Sequence, residues 1–175
     1  MTAILAALIA MAGAVIVGYA TQFVAEDYRR FRNGSALAAG LAGELGSYAG
    51  AAPELRNGLV MIVAMIKNGQ RDLEALRPVE RPVDLYFEEV VGDLGLLGAS
   101  LVEDVVLVYS NLRAFRMALE IIATGHKEMK DQEVIYRCQK CLEALDRASE
   151  RGTTLVESLR ARAAERFKLH LPWDT

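Results

Sequence analysis

The pair Cys138 and Cys141 forms a C-x-x-C motif, the pattern in this 175-residue chain that most resembles chemistry. Redox enzymes place such a pair at a helix N-terminus that follows a strand, where the helix dipole lowers a thiol pKa. Here the pair lies inside a predicted helix with no strand before it. A zinc site needs two further ligands, but the histidines are only His126 and His170, and there is no second cysteine pair. The sequence therefore predicts two buried, reduced, inert cysteines and no bound metal.

Charged residues are distributed unevenly along the chain. Seven carboxylates lie between residues 80 and 104: Glu80, Asp84, Glu88, Glu89, Asp93, Glu103 and Asp104. A di-iron bundle would carry Glu-x-x-His pairs, and none occurs. Residues 137–168 have the opposite balance, with eight Lys and Arg against five acids. These patterns predict a solvated acidic face and a basic helix that could face each other within the bundle or between subunits.

Other catalytic patterns are missing from the sequence. The two histidines do not support a Ser/His/Asp set, and "GELGSYAG" (43–50) is not a nucleophile elbow. No phosphate-binding G-x-x-x-x-G-K-[ST] loop occurs. The net charge of −3 argues against a nucleic-acid partner. We therefore expect no catalytic residue, no enzyme activity, no cofactor and no nucleic-acid binding.

The opening stretch, residues 3–25, is uncharged and apolar except for Thr21 and Gln22. A helix of this length reaches roughly 34 Å, and the hydrocarbon core of a bilayer is roughly 30 Å thick. An amphipathic helix of a soluble protein would carry charge along one face, and this segment carries none. The sequence predicts a transmembrane anchor over residues 1–27.

The residues at the end of this span indicate its orientation. Four aromatic residues, which favour the headgroup region, cluster there: Tyr19, Phe23, Tyr28 and Phe31. Three basic residues accompany them: Arg29, Arg30 and Arg32. Basic residues flanking a span remain in the cytoplasm, so we expect the N-terminus outside and the bulk of the chain in the cytoplasm. The same arginines could bind anionic lipid headgroups.

Two other interpretations of the opening stretch are a cleaved secretory signal and a buried helix. Gly18 and Ala20 are small residues that could precede a cleavage site. A secretory signal needs a basic start, however, and "MTA" has none. We therefore favour a retained anchor.

Small residues recur every four positions within the span: Ala6, Ala10, Ala14 and Gly18. Such a row lets a second helix approach closely, as small-xxx-small motifs do. Alanine is abundant here, so the row could also arise by chance. The hypothesis is that it packs on another membrane helix, in a homo-oligomer or with a membrane-protein partner.

Apolar residues at steps of three and four predict packed helices in residues 28–168. Asn33-Gly34 is a turn or helix-stop signal, and the anchor helix either runs on through it or restarts at Ser35. The next helix is predicted from Pro53 to Leu76, with "LVMIVAMI" (59–66) as its most buried turn. Pro78 and Pro82 then predict a stiff linker.

The second half of the chain predicts further helices. Residues 84–98 predict a short helix or an irregular apolar stretch. A capping box at Ser100 and Glu103 opens the next helix, and Gly125 follows as its C′ residue.

The last helix is predicted to start near Lys130. Its apolar seam keeps phase through Gly152: Ile135, Cys138, Leu142, Leu145, Ser149, Gly152, Val156, Leu159 and Ala163. A restart capped by Thr154 and Glu157 is the alternative to one long helix.

No stretch has the alternation of a strand. The fold class is therefore all-α, a transmembrane helix followed by an antiparallel bundle of about four helices over residues 28–168 and a tail over 169–175.

The order of these features resembles a loose group of uncharacterised bacterial, single-pass, membrane-anchored helical proteins. The matching residues are the N-terminal span, "YRRFRNGSALAAGLAGEL" (28–45), "YFEEVVGDLGLL" (86–97) and "VVLVYSNLRAF" (105–115). The resemblance implies a bacterial inner-membrane protein with a helical bundle, and it carries over no catalytic residue.

Two functional hypotheses follow from the sequence. The leading one is a non-catalytic, membrane-anchored protein that acts through protein contacts as an accessory subunit, a scaffold or a sensor. The alternative is a metal- or thiol-dependent protein that uses Cys138 and Cys141.

Overall fold

The computed structural model describes residues 2–71 and 84–168, apart from the side chains of residues 2, 5, 6 and 8. Over these residues the chain is helical and contains no strand, so the predicted all-α class is confirmed. The elements are α1 (Thr2–Ala49), α2 (Ala52–Lys67), α3 (Leu85–Val90), a 3₁₀ segment (Val91–Leu97), α4 (Ala99–Gly125) and α5 (Asp131–Ala164). The predicted proline linker and the tail over 169–175 lie outside the described residues.

Helix α1 passes through Asn33 and Gly34 without a break. Gly34 is buried, and a Cβ atom added there would lie 2.7 Å from the carbonyl oxygen of Leu96. The glycine therefore lets the backbone of the 3₁₀ segment approach α1 and does not end the helix. Of the two sequence interpretations, the continuous helix is the one observed.

Helix α2 follows α1 after a two-residue turn and has Pro53 in its first turn, as predicted. It ends at Lys67, so the predicted extension to Leu76 is wrong. Gly69 has a left-handed backbone (φ +77°) and its N–H bonds to the carbonyl of Ile66, which closes the helix. Leu76 itself lies outside the described residues.

Residues 59–66 are buried on one face only. Leu59, Ile62 and Ile66 are buried, but the side chains of Val60 and Met61 are 45% and 59% exposed. The prediction that this stretch is the most buried turn of the bundle is wrong, because α2 packs mainly against a single long helix, α5.

Helix α4 starts and ends differently from the prediction. Its N-cap is Gly98 (φ +89°) and no side chain caps it, so the predicted Ser100–Glu103 box is not formed. Ser100 already lies within the first turn. Gly125 remains helical, and the C-cap is His126, so Gly125 is not a left-handed C′ residue.

Helix α5 is unbroken through Gly152, as the main interpretation predicted. Its buried residues are Val134, Cys138, Cys141, Ala144, Leu145, Ala148, Leu155 and Leu159. Ser149, placed on the predicted seam, is exposed. The buried arc is wider than a heptad seam because α5 contacts α1 and α2 on one side and α4 on another.

Helix α5 is antiparallel to α1, α2 and α4. Side-chain contacts between α5 and the first two helices progress in opposite directions along the chain: Arg162 with Ser35, Asp146 with Arg56, and Asp131 with Arg71, just beyond α2. Contacts with α4 follow the same order: Arg151 with Asp104 and Arg147 with Asn111. Helices α1 and α2 therefore lie end to end along α5.

Two apolar cores stabilise this arrangement. The first core joins α1, the 3₁₀ segment, α4 and α5: Leu37, Ala38, Leu41, Ala42, Leu45, Leu94, Leu97, Val105, Val108, Tyr109, Leu155 and Leu159. The second core joins α2, α4 and α5: Leu59, Ile62, Ile66, Phe115, Ile122, Val134, Cys138, Cys141, Ala144 and Leu145. The first core begins at Leu37, so the early part of α1 projects beyond it.

Candidate functional site

The first part of α1 is apolar and yet exposed on all sides. Between residues 3 and 26 every described side chain is exposed, including Ile9 (65%) and Ile16 (68%). An 18-residue window in the helical stretch that starts at Ile9 has a mean hydropathy of 1.4 and no buried residue. The Thr21 hydroxyl donates a hydrogen bond to the Val17 carbonyl at 2.7 Å, so its polar group is satisfied within the helix. By length and composition this helix could cross a membrane.

The small-residue row lies in this projecting part. Ala10, Ala14 and Gly18 are exposed, and a Cβ atom added at Gly18 would meet nothing within 4 Å. The side chain of Ala6 lies outside the described part of the chain. Within the described residues, therefore, no other helix covers Ala10, Ala14 and Gly18.

Arg29, Arg30 and Arg32 lie on α1 just after the uncharged span, and all three are exposed. Arg29 forms an ion pair with Glu26 at 2.7 Å. Such an exposed pair contributes little to stability. Arg29 and Arg32, three residues apart, lie on the same side of the helix, whereas Arg30 points to another side, because successive residues are about 100° apart.

The chain beyond α5 returns to this turn of α1. The Phe167 ring packs edge-on against Tyr28, with centroids 5.2 Å apart, and against Phe31, with centroids 5.5 Å apart. The Arg162 guanidinium lies 5.0 Å from the centre of the Phe31 ring. We call Tyr28, Phe31 and Phe167 the aromatic junction. Phe167 could not be recognised from the sequence, because an isolated aromatic residue near a helix end gives no pairing signal.

Cys138 and Cys141 are fully buried in the second core, as predicted. Burial raises the pKa of Cys138 to about 11, and burial followed by the neighbouring thiol raises that of Cys141 to about 12. The Cys141 thiol donates to the Phe115 carbonyl, with Sγ 3.8 Å from the oxygen. Among the described residues no group of three or more His, Cys, Asp or Glu is arranged to hold a metal. The arrangement disfavours the thiolate, which is the reactive and metal-binding form.

A polar cluster connects α1 to the segment before α4. The Glu44 carboxylate accepts hydrogen bonds from the backbone N–H groups of Tyr86 (2.9 Å) and Phe87 (3.2 Å) and from the Tyr109 hydroxyl (2.7 Å). The Tyr109 and Phe87 rings stack at 3.9 Å. Burial and the hydrogen bond to Glu44 raise the Tyr109 pKa far above its usual value.

Asp84, at the start of the same segment, is 7% exposed. It accepts hydrogen bonds from the Tyr48 hydroxyl at 3.0 Å and from Arg116 at 2.6 Å. Burial and the bond to Asp84 raise the Tyr48 pKa to about 12. No buried side-chain N or O atom in the described chain lacks a hydrogen-bond partner. The buried polar groups of this cluster are therefore satisfied by one another, as in a structural network.

The predicted pairing of the acidic region with the basic helix is observed at Asp104, which pairs with Arg151 at 2.9 Å. Asp84 and Glu88 pair instead with arginines of α4. Glu80 lies outside the described residues. Glu44 could not be recognised as a site from the sequence, because its partners lie 42 to 65 residues away along the chain.

Comparison with known proteins found no matching family model, curated protein or solved structure. The resemblance to bacterial membrane-anchored helical proteins therefore stays a prediction.

Proposed function

We propose that this protein is anchored in a bacterial inner membrane by α1 and acts without catalysis, through protein contacts, as an accessory subunit, scaffold or sensor. The observation that carries the proposal is the division of α1. Its first part is uncharged, apolar and exposed, whereas its second part supplies Leu37, Leu41 and Leu45 to the first core.

The exposed apolar side chains support the anchor. A continuous helical surface of this kind in water would be far larger than the apolar patches of ordinary soluble monomers. In a bilayer the same side chains would be favourably solvated, and the helical backbone satisfies its own hydrogen bonds.

The charges beyond the span support a cytoplasmic bundle. Arg29, Arg30 and Arg32 follow the apolar stretch and are exposed to solvent, where they would oppose translocation. The N-terminus would then face the opposite side of the membrane.

The small-residue row supports a partner within the membrane. Ala10, Ala14 and Gly18 present a flat strip to which a second helix could pack closely. A second copy of this chain or another membrane protein would supply that helix.

Burial argues against the alternative function that uses the C-x-x-C pair. Neither Cys138 nor Cys141 is accessible, and the raised pKa of each thiol keeps it protonated at neutral pH. The polar groups of the Glu44 and Asp84 clusters are engaged with one another. These features support a role based on surface contacts.

Fractionation tests the anchor. The protein should remain in the membrane pellet after alkaline carbonate washing, and a reporter fused after Thr175 should be active only if it functions in the cytoplasm. The matched control is Val15→Asp with Ile16→Asp, which should release the chain because charge within the hydrocarbon core is costly. Recovery of a soluble periplasmic chain that starts near Thr21 would contradict the proposal.

A membrane two-hybrid assay tests the contact. Gly18→Leu should weaken association, whereas Ile9→Leu, which lies off the row, should not. Equal signals from both variants would exclude the row as the contact. Affinity capture from gently solubilised membranes, compared between wild type and Gly18→Leu, would then identify the partner that depends on this surface.

A further inference from the structure

The end of α5 and the arginine turn of α1 lie at the same level of the molecule. The aromatic junction places the Phe167 ring within 5.5 Å of Phe31 and 5.2 Å of Tyr28. Tyr28 and Phe31 lie three and six residues beyond the end of the uncharged span, or about 4.5 and 9 Å. Arg166 and Lys168 flank Phe167 and are exposed. Two segments far apart in sequence therefore meet just outside the proposed membrane.

The charge at this end has the opposite sign from that of the whole chain. Residues 26–32 and 162–168 together contain six bases and three acids: Arg29, Arg30, Arg32, Arg162, Arg166 and Lys168 against Glu26, Asp27 and Glu165. Their net charge is +3, whereas that of the whole chain is −3. The positive charge is thus concentrated at the end nearest the span.

Several of these bases are available to a ligand. Glu26 and Glu165 are already engaged by Arg29 and Arg162. Within the described chain Arg30, Arg32 and Arg166 form no ion pair, and all three are exposed.

We propose that Arg30, Arg32 and Arg166, with Arg29 and Lys168 beside them, form a juxtamembrane basic surface that binds the anionic phospholipid headgroups of the bilayer in which α1 is anchored. The proposal rests on the anchor of the proposed function and adds a second membrane contact, made by the end of α5. The occupant follows from charge and position, since the surface is cationic and adjoins the apolar span.

The aromatic junction holds the end of α5 beside the arginines of α1, at the level proposed for the lipid headgroups. Aromatic rings favour the headgroup level, and here they are contributed by both segments. An anionic leaflet attracts nearby Lys and Arg with a strength equivalent to about fivefold in binding per cation, and the attraction falls within a Debye length of about 10 Å. Arg166 is held at that level by Phe167. The membrane therefore binds both the start and the end of the bundle.

Hydrogen exchange of the full chain in lipid vesicles tests the proposal. The chain is reconstituted into phosphatidylcholine alone and into an equal mixture with phosphatidylglycerol, and flotation checks that it is inserted. Amides of residues 163–168 should exchange about fivefold more slowly in the mixed vesicles, the equivalent of one cation. Salt at about 1 M, where the Debye length is about 3 Å, should remove the difference.

Two matched variants locate the contact. Arg30→Gln with Arg166→Gln should lose the protection given by phosphatidylglycerol. The control is Lys127→Gln with Lys130→Gln, which removes the same amount of positive charge at the opposite end of α5, where both lysines are exposed. This variant should retain the protection given by phosphatidylglycerol. Exchange within α4 reports that each variant remains folded.

The outcomes separate the two proposals. A chain that floats with both vesicles but exchanges equally in them would overturn the basic surface and leave the anchor standing. Protection that survives in Arg30→Gln with Arg166→Gln would also overturn it. A chain that does not float would overturn the anchor, and the basic surface with it.

Discussion

At the scale of single residues, burial decides the chemistry of the two cysteines. A C-x-x-C motif on an exposed helix terminus would favour the thiolate, but Cys138 and Cys141 lie in the second core among apolar side chains. Their neutral thiols fill space there and one of them donates to a backbone carbonyl. The same spacing thus serves packing in this chain.

The first prediction concerns stability at alkaline pH. An unfolded chain ionises its cysteines near the ordinary pKa of 9.0, whereas the folded chain holds them protonated up to about pH 11 for Cys138 and about 12 for Cys141. The unfolded state therefore releases protons first, and the free energy of unfolding should fall as the pH rises above about 9. Urea denaturation over a series of pH values measures this fall.

The control for this prediction is Cys138→Ala with Cys141→Ala. At neutral pH the double variant should lose about 1 kcal/mol per site, because a small buried group is removed. Its alkaline decline should be shallower, with the remainder due to tyrosines such as Tyr48. Identical pH profiles for wild type and double variant would contradict the assignment.

The second prediction separates two glycines of α1. Gly34→Ala should lower the free energy of unfolding by about 1–3 kcal/mol, because its Cβ would lie 2.7 Å from the Leu96 carbonyl oxygen. Gly43→Ala, where a Cβ would meet nothing within 4 Å, should raise it by about 0.5–1 kcal/mol through helix propensity. Chemical denaturation compares the two variants, and a stabilised Gly34→Ala would show that the close approach is absent.

At the scale of elements, the short helix α3 is held in place by side-chain hydrogen bonds from another helix. Glu44 binds the second and third N–H groups of α3, those of Tyr86 and Phe87, which have no partner within the helix. The Glu44 carboxylate, which belongs to another helix, therefore accepts the hydrogen bonds that the side chain of an N-cap residue usually accepts.

The third prediction tests the capping of α3 by the Glu44 side chain of α1. Glu44→Gln should destabilise the bundle by about 2 kcal/mol, because an amide offers one acceptor oxygen to three donors. Tyr109→Phe should cost about 1 kcal/mol, and the double variant should cost less than the sum, since the two groups share a bond. Glu150→Gln, exposed on α5, is the control and should change little. Strict additivity of Glu44→Gln and Tyr109→Phe would argue against the shared bond.

Sequence spacing predicted the long helices because their core positions repeat locally. Val105, Val108 and Ile122 of α4 are buried where the pattern placed them. The end of α2 and the cap of α4 depended instead on the backbone angles of Gly69 and Gly98, which the pattern did not reveal.

The candidate site was predictable in part for the same reason. The uncharged span and the three arginines are contiguous, so the sequence alone indicated them. The network of Glu44 and the contact of Phe167 join residues from distant parts of the chain. The first forms where α3 and α4 pack on α1, and the second forms because α5 packs along α1.

At the scale of the whole molecule, the proposed anchor and the bundle share a helix but not a core. The projecting part of α1 makes no contact with the first core, whose α1 members begin at Leu37. The stability of the bundle should therefore be independent of the span.

The fourth prediction follows from this separation. A chain without residues 1–25 should stay in the supernatant and unfold at the same temperature as the full chain in detergent, because it retains both cores and the aromatic junction. A chain without residues 1–45 loses Leu37, Leu41 and Leu45 and should not fold cooperatively. Circular dichroism on heating measures both. A large loss of stability in the shorter deletion would show that the span supports the bundle.

Helix α1 is continuous through Asn33 and Gly34, so it connects the span rigidly to the bundle. In the proposed orientation the bundle therefore extends away from the membrane along the direction of the span. Helix α5 has 34 residues, so the turn after α4 stands about 50 Å above the aromatic junction. With no hinge in between, a change of about 20° in the tilt of the anchor would sweep that distal turn sideways by about 17 Å. A partner bound at the distal turn would thus respond to small movements of the span, such as those imposed by a second helix on Ala10, Ala14 and Gly18.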